Sequence, residues 1–298
     1  MSIGVTGGAG FLGKYIVQQL SENFQVQSIG RSQANDIVVD LTCEVPHFNE
    51  VPQYVVHAAG KAHIYPKTAA EKQAFFDVNV KGTANLLKAL SAHVPKRFVF
   101  ISTVAVYGLE QGTLIDEATP LLGTSPYAQS KIQAEALIQA WCREHQIPFL
   151  ILRLPLVVGK NAPGNLGKMI KAIEKGRYVR IAKGDARKSA VLAADVAALV
   201  QQWLQQAEPR SGIYHVTDGY HPSFYEIEER IRTHFQRTLI PTIPSWLGRL
   251  LGRIGDIIPG SPFTSQTLAK ITHTFTFSDA NARNEIGWTS KSVLENLL

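Results

Sequence analysis

The sequence predicts an α/β fold: a doubly wound, Rossmann-type parallel sheet with a smaller, mainly helical C-terminal domain. Three observations carry this. A short apolar strand, Ser2–Thr6, runs into a glycine-rich turn, Gly7 to Gly13, and then into a helical run, Lys14–Leu20. Strands and helices then alternate as far as Arg153. Beyond Leu154 the alternation gives way to mostly helical segments.

Each element has its own signal. Phe24–Ile29 reads as the second strand, Ile37–Asp40 as a short third and Tyr54–Ala59 as a buried fourth. Thr68–His93 is one long, partly amphipathic helical stretch. Lys96–Ile101 is the fifth strand. Pro126–His145 is a helix, with Ser125 placed to cap it and proline in its first turn. Ile147–Arg153 is the sixth strand. Such alternation makes a parallel sheet covered on both faces, with right-handed crossovers and ligands at the carboxyl ends of the strands. Further on, helices are expected at Asn165–Gly176, Asp195–Gln206 and His221–Phe235, with a strand at Ile213–Val216. The Asp195 helix and that strand are expected to return to the main sheet. Residues 1–155 plus about 189–217 thus form one domain, and 156–188 with 218–298 a second.

Ser245–Ile258 carries Trp246, Leu247, Leu250, Leu251, Ile254, Ile257 and Ile258 on one stripe at helical spacing, with Arg249 and Arg253 on the other side. The expected role is a helix facing the core of the second domain. The other reading is a surface element that touches a membrane or a lipid-linked substrate.

Composition bounds the function. A chain of 298 residues, 45% hydrophobic and 18% charged, buries a substantial core and is no disordered segment. The net charge of +6 is spread out, without a basic run. That argues against nucleic acid and suits a small anionic substrate. Two cysteines, Cys43 and Cys142, form neither a metal-ligand pattern nor a disulfide framework, so no metal is expected. The first strand begins at Ser2, and no apolar run approaches the ~20 residues of a membrane span. A cytoplasmic setting is expected.

Three pieces carry chemistry. The turn from Gly7 to Gly13 is Gly-x-x-Gly-x-x-Gly. Gly7 allows the tight turn, Gly10 a close approach to a dinucleotide pyrophosphate and Gly13 the packing of helix on strand. The following helix start offers free N–H groups to phosphate. Glycines at a turn can merely shape it, but here strand and helix flank them in the right order. Tyr127 and Lys131 lie four apart on one helical face. Alone that pair is common. Downstream of such a loop, it reads as a tyrosine made acid–base competent by a nearby ammonium, which lowers the phenol's pKa. Ser102 and Thr103 end the fifth strand, where a hydroxyl points into the ligand crevice.

These motifs resemble the extended short-chain dehydrogenase/reductase superfamily, in its NAD-dependent epimerase/dehydratase (nucleotide-sugar) branch, over almost the whole chain. The matching stretches are Thr6–Gly13, His57–Ala59, Asn79–Thr83, Ser125–Lys131 with Ala134 and Glu135, and Ala282–Trp288. The resemblance implies an NAD(P) cofactor lying on Gly7, Gly10, Phe11, Leu12, Gly13, Ala58, Ala59, Asn79 and Ser102. It places Asp40 and Leu41 at the adenine. Catalysis falls to Thr103, Tyr127 and Lys131, with Lys131 also holding the nicotinamide ribose. Asn165, Arg187 and Lys188 fall where the family binds the diphosphate of a nucleotide-sugar substrate. Lys61 and His63 fall at substrate or nicotinamide. A homodimer through helices 68–93 and 126–145 is usual for the family.

Departures narrow the branch. Val104 and Ala105 stand where dehydratases of this family carry Asp-Glu, and neither can move a proton. Leu156 replaces the frequent asparagine of Arg-x-x-Asn. The second strand ends in Gly30-Arg31-Ser32, without the acidic residue usual in NAD users. Arg31 suits the 2′-phosphate of NADP, or stacking on adenine. Epimerase and 4-ketoreductase both stay open, and intact Thr103, Tyr127 and Lys131 argue against a non-catalytic sensor.

Overall fold

A computed structural model describes residues 1–62, 66–258 and 264–298. β1 (Ser2–Thr6) leads through the glycine turn into α1 (Phe11–Leu20). The helix thus starts three residues earlier than expected, inside the glycine loop. β2 (Gln25–Gly30), β3 (Ile37–Val38) and β4 (Tyr54–His57) follow. The single helix expected over 68–93 is broken into α2 (Ala69–Phe76), a π-helical turn at Asp77–Lys81 and α3 (Gly82–Leu90). Thr68 caps α2, its hydroxyl accepting from Glu71 N while the Glu71 carboxylate accepts from Thr68 N. β5 (Arg97–Thr103) runs two residues past its expected end, into a 3₁₀ turn at Val104–Tyr107. A short β6 (Gly112–Ile115) precedes α4 (Pro126–Glu144), and β7 (Phe149–Leu154) follows.

β8 (Leu156–Val158), α5 (Gly164–Glu174), β9 (Arg180–Ile181), β10 (Ala190–Leu192), α6 (Ala193–Gln205) and β11 (Gly212–Tyr214) come next. The chain closes with α7 (Phe224–His234), β12 (Thr242–Ile243), α8 (Ser245–Ile257), α9 (Ser265–Thr272), β13 (Phe275–Phe277) and α10 (Ala280–Ile286).

The main sheet has seven strands in the order β11-β7-β5-β4-β1-β2-β3, all parallel. The order reverses between β1 and β4, and their carboxyl ends open a crevice there. Both faces are covered, as period-two alternation requires. Ile3, Val5, Val56, Val99, Leu150 and Leu152 pack against α1 and α6. Their neighbours Val55, Phe98, Phe100, Phe149 and Ile151 pack against α3 and α4. α6 and β11 return to this sheet as expected, β11 pairing with β7. Ala282, Ile286 and Trp288, from a segment expected to lie with the second domain, also enter its core.

The short strands that the sequence did not signal build the remainder. β8 pairs with β10, β9 with β12, and β6 with β13. Each pair joins segments distant in the chain, so no local hairpin pattern marks them.

The expectation for Ser245–Ile258 is overturned. Gly248, Gly252 and Gly255 face inward, while Trp246, Leu250, Leu251, Ile254, Ile257 and Ile258 are exposed. The reason is closeness of approach. A Cβ at Gly248 would stand 2.6 Å from the Ile181 side chain, and one at Gly252 3.3 Å from the Ser265 backbone. Glycine gives the closest approach at Gly248 and a tight one at Gly252, and that packing turns the large side chains outward.

Candidate active site

The cofactor cradle is built from backbone. Gly7 has a φ of +71°, and a Cβ on it would lie 2.7 Å from Ala59 N. The left-handed conformation and the contact with the end of β4 both demand glycine. Gly7 O accepts from Gly10 N at 2.9 Å, closing the turn. A Cβ on Gly10 would meet just Gly7 O, at 3.1 Å, so Gly10 opens onto free space. Gly13 is buried against Gly7 and Gly8. No side chain caps α1, which leaves the N–H groups of Phe11 and Leu12 for an anion. Their side chains serve packing instead: Phe11 lies edge-on to Tyr15 at 5.7 Å, and Leu12 borders the main core. This cradle fits a dinucleotide pyrophosphate.

Below it lies a dry network. His57 Nδ1 is 2.6 Å from Thr6 Oγ1, and His57 Nε2 is 2.9 Å from Thr83 Oγ1. Thr83 donates to Asn79 O, and Ala59 N donates to Thr6. His57 therefore donates through Nε2 and accepts at Nδ1. Burial, helped by the charge of Lys131, pushes its pKa down to about 3. The imidazole stays neutral and ties the ends of β1 and β4 to the π turn.

Asn79 sits in that turn, a deformation that recurs at functional sites. Its Oδ1 accepts from Lys61 N at 2.8 Å, and its Nδ2 donates to Lys61 O and Ser130 Oγ. Its amide clamps the loop after β4 onto α4. Ala58 and Ala59, half-buried, form the rim between cradle and clamp.

The catalytic candidates meet at the carboxyl end of β5. Ser125 Oγ accepts from Ala128 N at 3.1 Å and caps α4, with Pro126 in its first turn. Tyr127 therefore lies at the positive end of the helix dipole. Thr103, whose hydroxyl accepts from Ala105 N at 3.2 Å, ends β5 on the side of this helix. Burial pushes the Tyr127 phenol's pKa above its ordinary value, the nearby Thr103 hydroxyl pulling the other way. This corrects the expectation that Lys131 lowers it. The Lys131 ammonium instead donates to Ile101 O at 2.7 Å and lies 3.9 Å from the Phe100 ring centroid. Burial draws Lys131 down to about 7, opposed by the carboxylate of Glu135. Lys61 lies 5.7 Å from the Phe75 ring, and Phe75 lies 6.1 Å from the Tyr127 ring, so Lys61 borders the same space. His63 lies outside the described residues.

Ser102 departs from its expected role. Strand alternation turns it away from the crevice, and its buried hydroxyl donates to Glu135. Glu135 also accepts from Arg153 Nε, at 3.2 Å, and from Arg153 Nη2, at 2.7 Å. Arg153 Nη1 donates to Tyr107 Oη at 2.9 Å, and that hydroxyl is 2.6 Å from His215 Nε2. This network joins α4, the helix that carries Tyr127, to β5 and β7. Sequence reasoning noted Glu135 and Arg153 as motif positions and missed the partnership with Tyr107 and His215. The clue was their charge inside apolar runs, which demands a partner.

At the other end of the crevice, an open cleft of about 450 Å³ is lined by Arg31, Thr42, Gly60, Lys61 and Asp77 among others. Arg31 is exposed at the end of β2. Asp40 Oδ1 accepts from Thr42 N and Thr42 Oγ1. Burial raises its pKa, but the Thr42 hydrogen bonds and the Arg31 charge prevail, and the carboxylate stays below its ordinary value. Leu41 is buried against Ile29 and Val39.

Lys188 lies 6.0 Å from the Phe224 ring and 5.6 Å from the Phe275 ring. Burial, with the nearby charge of Lys270, draws it down to about 8. Arg187 is half-exposed, donating to His221 O at 3.0 Å. Asn165 is exposed in the first turn of α5. No group of three or more metal-ligating side chains occurs among the described residues.

Residues 3–217 match the model of the NAD dependent epimerase/dehydratase family. The chain belongs to that family. A UDP-glucose 4-epimerase of Vibrio cholerae is 25% identical to this family member over 99% of this chain and 92% of its own. An N-acetyl-alpha-D-glucosaminyl-diphospho-ditrans,octacis-undecaprenol 4-epimerase of Escherichia coli O157:H7 is 24% identical, over 85% of this chain and 78% of its own. Among solved structures, a UDP-glucuronic acid 4-epimerase from Bacillus cereus in complex with UDP-glucuronic acid and NAD superposes with a TM-score of 0.77. It covers 100% of this chain and 96% of its own at 18% identity, and so shares the fold of this epimerase/dehydratase family enzyme.

Proposed function

We propose that the enzyme moves hydride at carbon four of a nucleotide-diphosphate sugar, with Tyr127 as the acid–base residue. The observation that supports this best is the placing of Thr103 at the end of β5 and Tyr127 in the first turn of α4, beside a glycine cradle at the sheet's switch point. A nicotinamide cofactor on that cradle supplies or takes the hydride. As an epimerase, Tyr127 takes the carbon-four hydroxyl proton and returns it to the other epimer. As a 4-ketoreductase, it gives its proton to the carbon-four oxygen. Thr103 holds the reacting oxygen, and Lys131 turns from Ile101 O to the nicotinamide ribose. Lys188, Arg187 and Asn165 take the substrate diphosphate, where charge-assisted hydrogen bonds count most.

Val104 and Ala105 leave the residues beside Thr103 without a proton-moving group, which disfavours dehydration within this family. Arg31, with no acid at the end of β2, favours NADP and reduction. A homodimer would form through the helices of residues 68–93 and α4.

The deciding experiment mixes protein, NADPH and a UDP-4-keto-6-deoxy sugar and follows loss of reduced-nicotinamide absorbance. Stoichiometric loss establishes the reductase. No loss, with interconversion of UDP-hexoses, establishes the epimerase. Neither activity refutes the proposal. A second reading, a lipid-linked sugar substrate, is favoured by the exposed apolar side of α8 and by the name of the Escherichia coli relative.

A further inference from the structure

α8 is built inside out for a water-facing helix. At about 100° per residue, Trp246, Leu250 and Ile257 project in nearly one direction, opposite the Gly248, Gly252 and Gly255 seam. Trp246 is 61% exposed and Ile257 82%. Ile254 and Ile258 widen the patch on one side. Arg249 and Arg253 border it on the other, both exposed, with no ion pair to any described residue. The helix's one acid, Asp256, is turned to α9 and accepts from Ser265 N at 2.9 Å.

The geometry points to a peripheral membrane-docking face: α8 lies flat on an anionic lipid bilayer, Trp246, Leu250, Ile254 and Ile257 immersed and Arg249 and Arg253 at the lipid phosphates. A helix lying in the interface plane carries this composition, with aromatic and aliphatic residues below and arginines beside them. The long arginine stems lie along the apolar side while their heads reach the phosphates. No helix among the described residues is long and apolar enough to cross a membrane, so docking here is in-plane. A second copy of the chain suits the patch less well. Thirteen residues span about 20 Å at a width of about 10 Å, a footprint on the order of 200 Å². A stable complex needs about 800 Å² per partner. Pairing two copies through α8 would also bring together their unpaired arginines.

An open cleft adjoins the docking face: α8 begins at it, and Arg180, Lys183, Tyr225 and Ser245 line it. It packs on α9, whose Lys270 lies close enough to Lys188 to depress it. The docking itself does not depend on which sugar is turned over.

Trp246 supplies its own probe, because the other three tryptophans, Trp141, Trp203 and Trp288, are buried. The full chain is titrated with vesicles of POPC and POPG at 7:3, and with POPC alone, following tryptophan emission and co-sedimentation. The expected result is a blue shift and sedimentation with the anionic vesicles. An arginine near an anionic surface contributes roughly 5-fold in partitioning, so Arg249→Gln with Arg253→Gln loses about 25-fold. Leu250→Glu with Ile257→Glu, both at exposed positions and checked for an unchanged thermal melt, abolishes binding. Absence of binding by the native chain overturns the proposal. So does equal binding to pure POPC, or binding retained by the glutamate variant. Size-exclusion light scattering is the remaining check: a dimer that dissociates on Leu250→Glu with Ile257→Glu assigns the face to a second copy instead.

Discussion

Glu135→Gln tests the buried network on the helix that carries Tyr127. The Glu135 carboxylate is buried and receives Arg153 twice and Ser102 once, and Arg153 is itself buried. Glutamine keeps the shape and removes the charge. The guanidinium is then left without its counter-ion in a dry interior. Breaking such a pair from one side costs about 3–5 kcal/mol, a large share of a total stability of about 5–15 kcal/mol. At about 2 °C per kcal/mol for a chain of this size, the melting temperature falls by roughly 6–10 °C. Arg153→Met strands the carboxylate and falls by a similar amount. The double variant Glu135→Leu with Arg153→Met buries no charge and recovers most of the loss, since apolar replacements of buried pairs are often neutral. Thermal melts by circular dichroism at pH 7 read all three. Single variants that melt within 1 °C or so of the native chain would refute the reasoning. A double variant that loses the sum of the singles would equally refute it.

Tyr127→Phe is expected to lower turnover by about 10²–10⁴-fold while cofactor affinity, read by calorimetry, stays unchanged; native turnover would remove Tyr127 from acid–base work. Arg31→Ala is expected to weaken NADP much more than NAD in the same measurement, and equal weakening would end the 2′-phosphate argument. Lys131 has a folded pKa of about 7 against an ordinary 10.5, so between those values the unfolded chain binds the extra proton. Its contribution to stability therefore rises as pH rises from 7 towards 10.5, and its burial penalty is fullest below 7. Lys131→Met is expected to be stabilised relative to the native chain at pH 6 and to lose that advantage by pH 9.5. A difference in melting temperature that does not vary with pH would show that Lys131 is not titrating in that range.

The glycine turn, the strand alternation and the Tyr127–Lys131 spacing were legible in the sequence because each is local. Tight turns need glycine at stated positions, parallel strands are continuous apolar runs, and residues four apart share a helical face. From these a doubly wound parallel sheet and a glycine turn after its first strand could be anticipated. The direction of a polar group could not. Ser102 and Thr103 are adjacent hydroxyls, and the sheet's pleat sends the first to Glu135 while the second accepts from Ala105 N on the other side. The Asn79 amide is engaged by Lys61 and Ser130, partners that its place in the sequence does not announce. The phenol of Tyr127 rises where a nearby ammonium was expected to lower it, because burial outweighs a charge that is turned to Ile101. α8 shows the division most plainly. Its periodicity marked an apolar stripe, but periodicity does not say which side of a helix meets the core. That was decided by how closely Ile181 approaches Gly248, at 2.6 Å from where a Cβ would stand, and by the tight contact of Gly252 with Ser265, so the stripe faces outward.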